Sequence, residues 1–239
     1  MLKVYTLQEY LAIGFALFAA AAMIAGAYVG QPERDMRTPK ARVAEDTVFM
    51  IYNNQGSGTG TWISPTELLT NCHVAVNLGK KGMAKNFDNS VYFKVHSSYC
   101  DKTTDLAIVS TSSGEYAGQV AKIADQQEGA GAEVWSAGYG MRWGLTYKNA
   151  LIGYPLPGYM VPVDTLIMAI GPGDSGSPVF GVGNRIIGVA AMGAIAYNFQ
   201  RRVFPVGNRG GMVPLSQIKD FLATYRGTRE IPYEVMPHR

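Results

Sequence analysis

Gly171-Pro172-Gly173-Asp174-Ser175-Gly176-Ser177-Pro178-Val179-Phe180 is the stretch on which the reading of this chain turns. A serine flanked by glycines, preceded by an acid and followed at once by a β-type run, has the form of a nucleophile on a tight turn. Glycine on either side lets the backbone take dihedrals that other residues resist, and lets a substrate carbonyl approach the main chain closely. Gly-Ser turns are also common in ordinary loops, so the pattern acquires meaning only with a base and an acid elsewhere.

Both are present upstream. In Leu68-Leu69-Thr70-Asn71-Cys72-His73-Val74 an apolar run ends at a histidine, after the glycine-rich turn Gly56-Ser57-Gly58-Thr59-Gly60. Imidazole titrates near neutrality and can take the proton of a serine hydroxyl. In Asp101-Lys102-Thr103-Thr104-Asp105-Leu106-Ala107-Ile108-Val109 an aspartate stands directly before an apolar strand. Buried at the strand's start, its carboxylate is free to accept the imidazole Nδ1–H, which fixes the tautomer and balances the imidazolium. Asp101 competes for that role, but it lies four residues from the strand beside Lys102, where solvent suits it.

Around these residues run short β-type segments separated by Gly, Asn, Asp and Ser. A first set covers 48–52, 59–63, 68–70, 91–95 and 106–110; a second covers 134–137, 145–152, 165–170, 178–180, 185–191 and 212–213. Residues 119–131, rich in Gly and Ala, divide the two. Ser216 can cap a helix carrying Ile218, Phe221, Leu222 and Tyr225 at helical spacing, with Gly227 as a stop. The expected fold is all-β: two packed antiparallel six-stranded β-barrels with a C-terminal helix, preceded by an N-terminal hydrophobic helix.

The ordered set His73, Asp105 and Ser175 resembles the trypsin-like (chymotrypsin-fold) serine peptidases over roughly Val48 to Tyr225. Leu-Leu-Thr-Asn-x-His-Val and Gly-x-Ser-Gly-Ser-Pro-Val-Phe are most similar to the bacterial V8-like and HtrA-like branches. The resemblance implies a serine endopeptidase acting through an acyl-enzyme: Ser175 as nucleophile, His73 as general base and acid, Asp105 orienting His73. The backbone N–H groups of Gly173 and Ser175 would form the oxyanion hole, and neither a metal nor an organic cofactor is required. By the same resemblance the substrate pocket lies at Ala169, Ala191, Met192 and Gly193. No acid stands at its base to read Lys or Arg, and alanine replaces the histidine that reads Glu, which leaves a small or medium apolar P1 residue. Two other settings share the motifs: a catalytically silent peptide-binding module, and a phage or viral processing protease with few targets.

The resemblance raises two further points. The fold it implies brings His73 and Asp105 together, so Cys72 and Cys100 could pair, although two buried thiols fit the sequence as well. In trypsin-like zymogens the acid before the serine pairs with a newly released N-terminus, which here would arise by cutting Arg42-Val43. Asp174 is expected instead to pair locally or to face solvent.

The chain of 239 residues is 47% hydrophobic and 16% charged, which describes a globular protein rather than a disordered one. Its 28 glycines and 12 prolines suit many short elements joined by turns. A net charge of +3, with basic residues scattered, excludes a nucleic-acid stripe, and two cysteines with three histidines make no metal framework. The resemblance implies protein or peptide as the partner. Leu11 to Gly30 carries no charge and is long enough to span a bilayer, while Ala25-Gly26-Ala27 is a small-x-small pattern. Residues 1–30 are expected to be a signal peptide or a membrane anchor, 31–46 a linker, 47–227 the peptidase domain and 228–239 a tail. The catalytic part is expected outside the cytoplasm, although Arg34, Arg37, Lys40 and Arg42 follow the apolar run and oppose simple export.

Overall fold

The computed structural model describes residues 37–78, 82–140, 144–155, 164–197 and 203–228; for 155, 192–197, 203–209 and 228 it describes the backbone. In chain order the elements are α1 (Pro39–Thr47), β1 (Val48–Tyr52), β2 (Ser57–Ser64), β3 (Glu67–Asn71), α2 (Cys72–Leu78), β4 (Gly82–Lys85), β5 (Tyr92–Asp101) and β6 (Leu106–Thr111). Then follow β7 (Glu133–Gly138), β8 (Thr146–Pro155), β9 (Asp164–Leu166), β10 (Pro178–Phe180), β11 (Ile186–Tyr197), β12 (Val203–Pro214) and α3 (Leu215–Thr228).

Val48, Phe49, Met50 and Ile51 are all buried, yet they enter two different cores. Successive side chains of a strand point to opposite faces. Phe49 and Ile51 therefore fill the interior of the first barrel with Trp62, Leu68 and Val109, while Val48 and Met50 face outward into a second cluster. Strand β6 divides in the same way, Ala107 and Val109 inward, Leu106 and Ile108 outward. Strand β10 sends Val179 into the second barrel's own core and Phe180 into the shared cluster. Burial on both faces explains why these strands read as unbroken apolar runs rather than as alternating ones.

The strands close into two barrels, in the order β1-β2-β3-β6-β5-β4 and β10-β11-β12-β9-β8-β7. Every neighbouring pair is antiparallel. Closure gives every strand, among the described residues, a partner on each side. The connection between the barrels is pinned to each: the Ala121 N–H bonds the Trp62 carbonyl, and the Ala124 N–H bonds that of Ile186.

Helix α3 closes the shared cluster with Ile218, Phe221, Leu222 and Tyr225, the residues at helical spacing. The ring of Tyr99 on β5 lies 5.4 Å from that of Phe221 and 5.5 Å from that of Tyr225. The Tyr225 hydroxyl bonds Glu67 Oε1 of β3 at 2.9 Å, so a helix following the second barrel is fastened to the first.

All-β architecture, six strands per barrel and the C-terminal helix agree with expectation; the hydrophobic run 11–30 lies outside the described residues. Several boundaries differ: β5, β11 and β12 run well beyond the stretches 91–95, 185–191 and 212–213 read as strands. Residues 39–47, mostly within the stretch read as linker, form α1, because proline suits a first helical turn and Ala44 is fully buried. Gly82–Lys85 is a strand despite lacking β-formers, held between β1 and β5. The segment read as a strand over 165–170 is one only over Asp164–Leu166. Helix α3 begins at Leu215, which puts Ser216 within its first turn, and runs past Gly227 to Thr228. Among the described residues no helix is long and apolar enough to cross a membrane.

Candidate active site

His73 is the second residue of α2, and Asp105 is the residue before β6. Strands β3 and β6 pair so that Asn71 faces Leu106, which brings the start of α2 against Asp105. Asp105 holds this junction from both ends. Its carbonyl accepts the Cys72 N–H and the Asn71 side-chain amide, each at 3.0 Å. Its carboxylate accepts the His73 N–H at 3.0 Å and lies 2.8 and 3.1 Å from His73 Nδ1. Asp105 takes a φ of 56°, a left-handed conformation that aspartate tolerates better than most residues. Nδ1–H is thereby committed to the carboxylate and Nε2 left to face the cleft, with the His73 side chain 49% exposed.

Asp105 is half-buried rather than enclosed, its side chain 20% exposed. Asp101 serves its own turn, accepting the Thr103 N–H at 2.8 Å and the Thr104 hydroxyl at 2.9 Å. Cys72 and Cys100 form a disulfide that ties the residue before His73 to the end of β5, with their Cα atoms 5.1 Å apart.

Ser175 belongs to the second barrel. Gly173 has a φ of 95° and Gly176 one of 87°, so the turn depends on glycine on both sides of the Asp-Ser pair. At Gly176 a Cβ would lie 2.0 Å from the Thr59 carbonyl oxygen and 2.2 Å from Thr70 Oγ1. Gly176 donates to the Ala190 carbonyl at 2.9 Å and Ser177 to that of Asp174 at 2.9 Å, which anchors the turn to β11. The N–H groups of Gly173 and Ser175 bond no backbone carbonyl among the described residues.

The Ser175 hydroxyl lies 3.4 Å from the Ala191 carbonyl and makes no hydrogen bond to the His73 ring among the described residues. Ser175, Gly173 and His73 nevertheless line one cleft of about 100 Å³, completed by Asn53, Gly56, Ser57, Val74, Asn77 and Leu78. Asn77 donates to the His73 carbonyl at 2.8 Å, and Asn53 to that of Leu78 at 3.2 Å, which fixes α2 along the cleft wall.

Of the residues read as substrate pocket, Ala169 is exposed and turns its carbonyl to Lys148, while Ala191 is buried. The side chain of Met192 lies outside the described residues; the backbones of Met192 and Gly193 pair with Gly211 and Gly210. Ile170 lies over the Gly210 backbone, where a Cβ on Gly210 would sit 2.3 Å from its Cδ1. Asp174 is 3% exposed and paired with Lys148. Among the described residues no group of three or more His, Cys, Asp or Glu side chains could hold a metal ion.

Sequence reasoning did not single out Thr59, Lys148 or Asn71. Thr59 lay inside a glycine-rich turn and Lys148 inside an ordinary strand; their roles come from contacts across 116 and 26 residues, respectively (175 − 59 and 174 − 148). Asn71 alone carried a local signal, its place beside His73.

A family model described as a trypsin-like peptidase domain matches residues 58–189. No curated protein sequence matches the chain. Among solved structures, the inactive form of Rv3671c from M. tuberculosis H37Rv with a serine-to-alanine substitution is 21% identical, with a TM-score of 0.68, covering 86% of this chain and 98% of that one. The active form of the Rv3671c protease is 21% identical with a TM-score of 0.64, covering 81% and 93%. The serine endoprotease from Yersinia pestis is 17% identical with a TM-score of 0.63, covering 80% and 67%. These likenesses show the two-barrel fold, and the matched domain spans more than half of the chain. It belongs to the trypsin-like peptidases.

Proposed function

We propose that the chain is a serine endopeptidase in which Ser175 attacks the scissile carbonyl, His73 moves the proton and Asp105 orients His73. The observation that carries this reading is the double contact of Asp105 with His73, on the Nδ1 and on the N–H, beside a cleft that Ser175 also lines. Rotation about the Cα–Cβ bond of Ser175 transfers its hydroxyl from the Ala191 carbonyl toward His73 Nε2; such bonds often tighten only with substrate in place.

As the Oγ–carbonyl bond forms, the hydroxyl proton passes to Nε2, and the charge on the carbonyl oxygen is met by the N–H groups of Gly173 and Ser175. The imidazolium, balanced by Asp105, then protonates the amine as the C–N bond breaks. Water, deprotonated by His73, hydrolyses the acyl-enzyme and regenerates Ser175. The chain's own residues supply each of these steps.

Substrates are proteins or peptides with a small or medium apolar P1 residue, a reading supported by Ile170 covering Gly210 beside the strand that carries Ala191. The uncharged run Leu11 to Gly30 supports a catalytic domain outside the cytoplasm, exported or membrane-anchored.

Digestion of a peptide library tests the reading. The wild-type chain is expected to cleave, and Asp105→Asn to lower kcat by roughly 10⁴ through the wrong imidazole tautomer. A wild-type chain that binds library peptides and cuts none would instead make the cleft a silent binding module.

A further inference from the structure

We propose that Lys148 is a positioning residue of this site: its ammonium group, bound between the Asp174 carboxylate and the Ala169 carbonyl, holds the Gly171–Ser175 turn in its working shape without any cleavage after Arg42. The proposal rests on the reading of Ser175 as nucleophile.

Asp174 immediately precedes Ser175 and is 3% exposed. A buried carboxylate without a counter-charge costs several kcal/mol, so its partners decide whether the turn exists in this form. They are few and well placed. Lys148 Nζ binds Oδ2, and the Gly171 N–H donates to the same oxygen at 2.8 Å. Gly140 backs the other side, where a Cβ would lie 2.8 Å from Oδ1. The Asp174 N–H closes the turn on the Gly171 carbonyl at 3.1 Å.

The ammonium group also donates to the Ala169 carbonyl at 3.1 Å. One cation thus bridges the start of the loop, at Ala169, and its end, at Asp174. Its own place is set by β8, where Lys148 pairs with Ser136 of β7. Gly173, whose N–H is a proposed oxyanion donor, lies between the two fastened points at a φ of 95°. Without Lys148, the buried Asp174 carboxylate loses its counter-charge and is driven to turn to solvent. That change loosens the Gly171 contact and re-aims the Gly173 N–H.

A new N-terminus at Val43 is the cation that cleavage after Arg42 would offer, and the fold resists it. Arg42 and Val43 lie inside α1, Ala44 is fully buried, and the Thr47 hydroxyl bonds the Val43 carbonyl at 2.6 Å. Freeing Val43 would unwind that helix, while the Asp174 carboxylate already holds Lys148.

The test uses the full chain and a fluorophosphonate probe, with the labelling rate separated into KI and kinact and thermal melting measured alongside. Lys148→Met is expected to lower kinact at least about tenfold with KI changed less than about threefold, the pattern of a lost transition-state interaction. Lys148→Arg is expected to restore most of kinact. Lys148→Met/Asp174→Asn removes the unpaired charge and keeps the protein folded; it is expected to recover Tm while kinact stays low. Labelled wild-type protein is expected to retain its Arg42–Val43 bond. The proposal is overturned if Lys148→Met labels like wild type, if kinact returns together with Tm in the double variant, or if labelling is confined to chains beginning at Val43. A wild-type chain that does not label at Ser175 overturns the nucleophile reading itself, and so is told apart.

Discussion

The Thr59 N–H donates to the Ser175 carbonyl at 2.9 Å, so the Gly171–Ser175 turn of the second barrel is held by β2 of the first. The Thr59 side chain adds a relay: its hydroxyl donates to the Gly173 carbonyl at 2.8 Å and accepts the Tyr139 N–H at 3.0 Å. Its own carbonyl accepts the Thr70 hydroxyl at 2.7 Å, and Thr70 lies three residues before His73. One threonine therefore links the histidine strand to the serine turn.

Thr59→Val keeps the shape and removes the relay, leaving a buried N–H at Tyr139 without its acceptor. The expected loss is about 1–3 kcal/mol of stability in urea denaturation, with slower probe labelling at Ser175. Thr59→Ser keeps the hydroxyl and should retain labelling. Equal labelling by the valine variant and wild type would show that the relay does not position the turn.

The disulfide Cys72–Cys100 closes a loop with a sequence separation of 28 directly before His73. Chain-entropy arguments give it roughly 3.5 kcal/mol. Cys72→Ala/Cys100→Ala should be destabilised by about that amount, yet remain active well below its lowered Tm. Activity persists because Asp105 still grips the His73 N–H and Nδ1. Loss of activity in a variant shown to be folded would mean that the bond, rather than Asp105, sets the histidine.

What the sequence made legible was local or ordered along the chain. Leu68–Thr70 and Leu106–Ser110 read as strands because their apolar runs are buried on both faces, and His73, Asp105 and Ser175 stood out through their immediate neighbours. Contacts made by folding did not stand out. Lys148 looks like any strand lysine until β8 brings it to Asp174, and Thr59 like any turn residue until the barrels meet. Helix α1 was hidden by its charges and its proline, because its packed face is made by only Val43, Ala44 and Thr47. Gly82–Lys85 carries no β-propensity; its strand state comes from the neighbours that close the barrel.

Ile170→Ala opens space above Gly210, which Ile170 now covers. Peptide-library profiling should show P1 preference moving from small or medium residues toward larger apolar ones, a change of order 10–100-fold in relative kcat/KM. An unchanged profile would place the P1 pocket elsewhere.

Tyr116 stacks on Trp62 in the first barrel with its hydroxyl on the Asp46 carbonyl, and burial, with the nearby Asp46 charge, pushes it up to about 12 from 10.0. A phenol whose folded pKa exceeds its unfolded value stabilises the fold fully below the unfolded value. That contribution is lost as pH rises through the folded one. Stability should therefore decline between about pH 10 and 12, and Tyr116→Phe should flatten the decline in alkaline denaturation. An identical decline in the variant would assign the effect to other groups.

The central claim is that Ser175 is a nucleophile activated by His73. Peptide mapping by mass spectrometry after fluorophosphonate treatment tests it most directly, on wild type, Ser175→Ala and His73→Ala. The account predicts an adduct on Ser175 in wild type, none in Ser175→Ala and slowing by at least about 10³-fold in His73→Ala. An adduct that persists in Ser175→Ala, or a folded wild type that forms none, would contradict it.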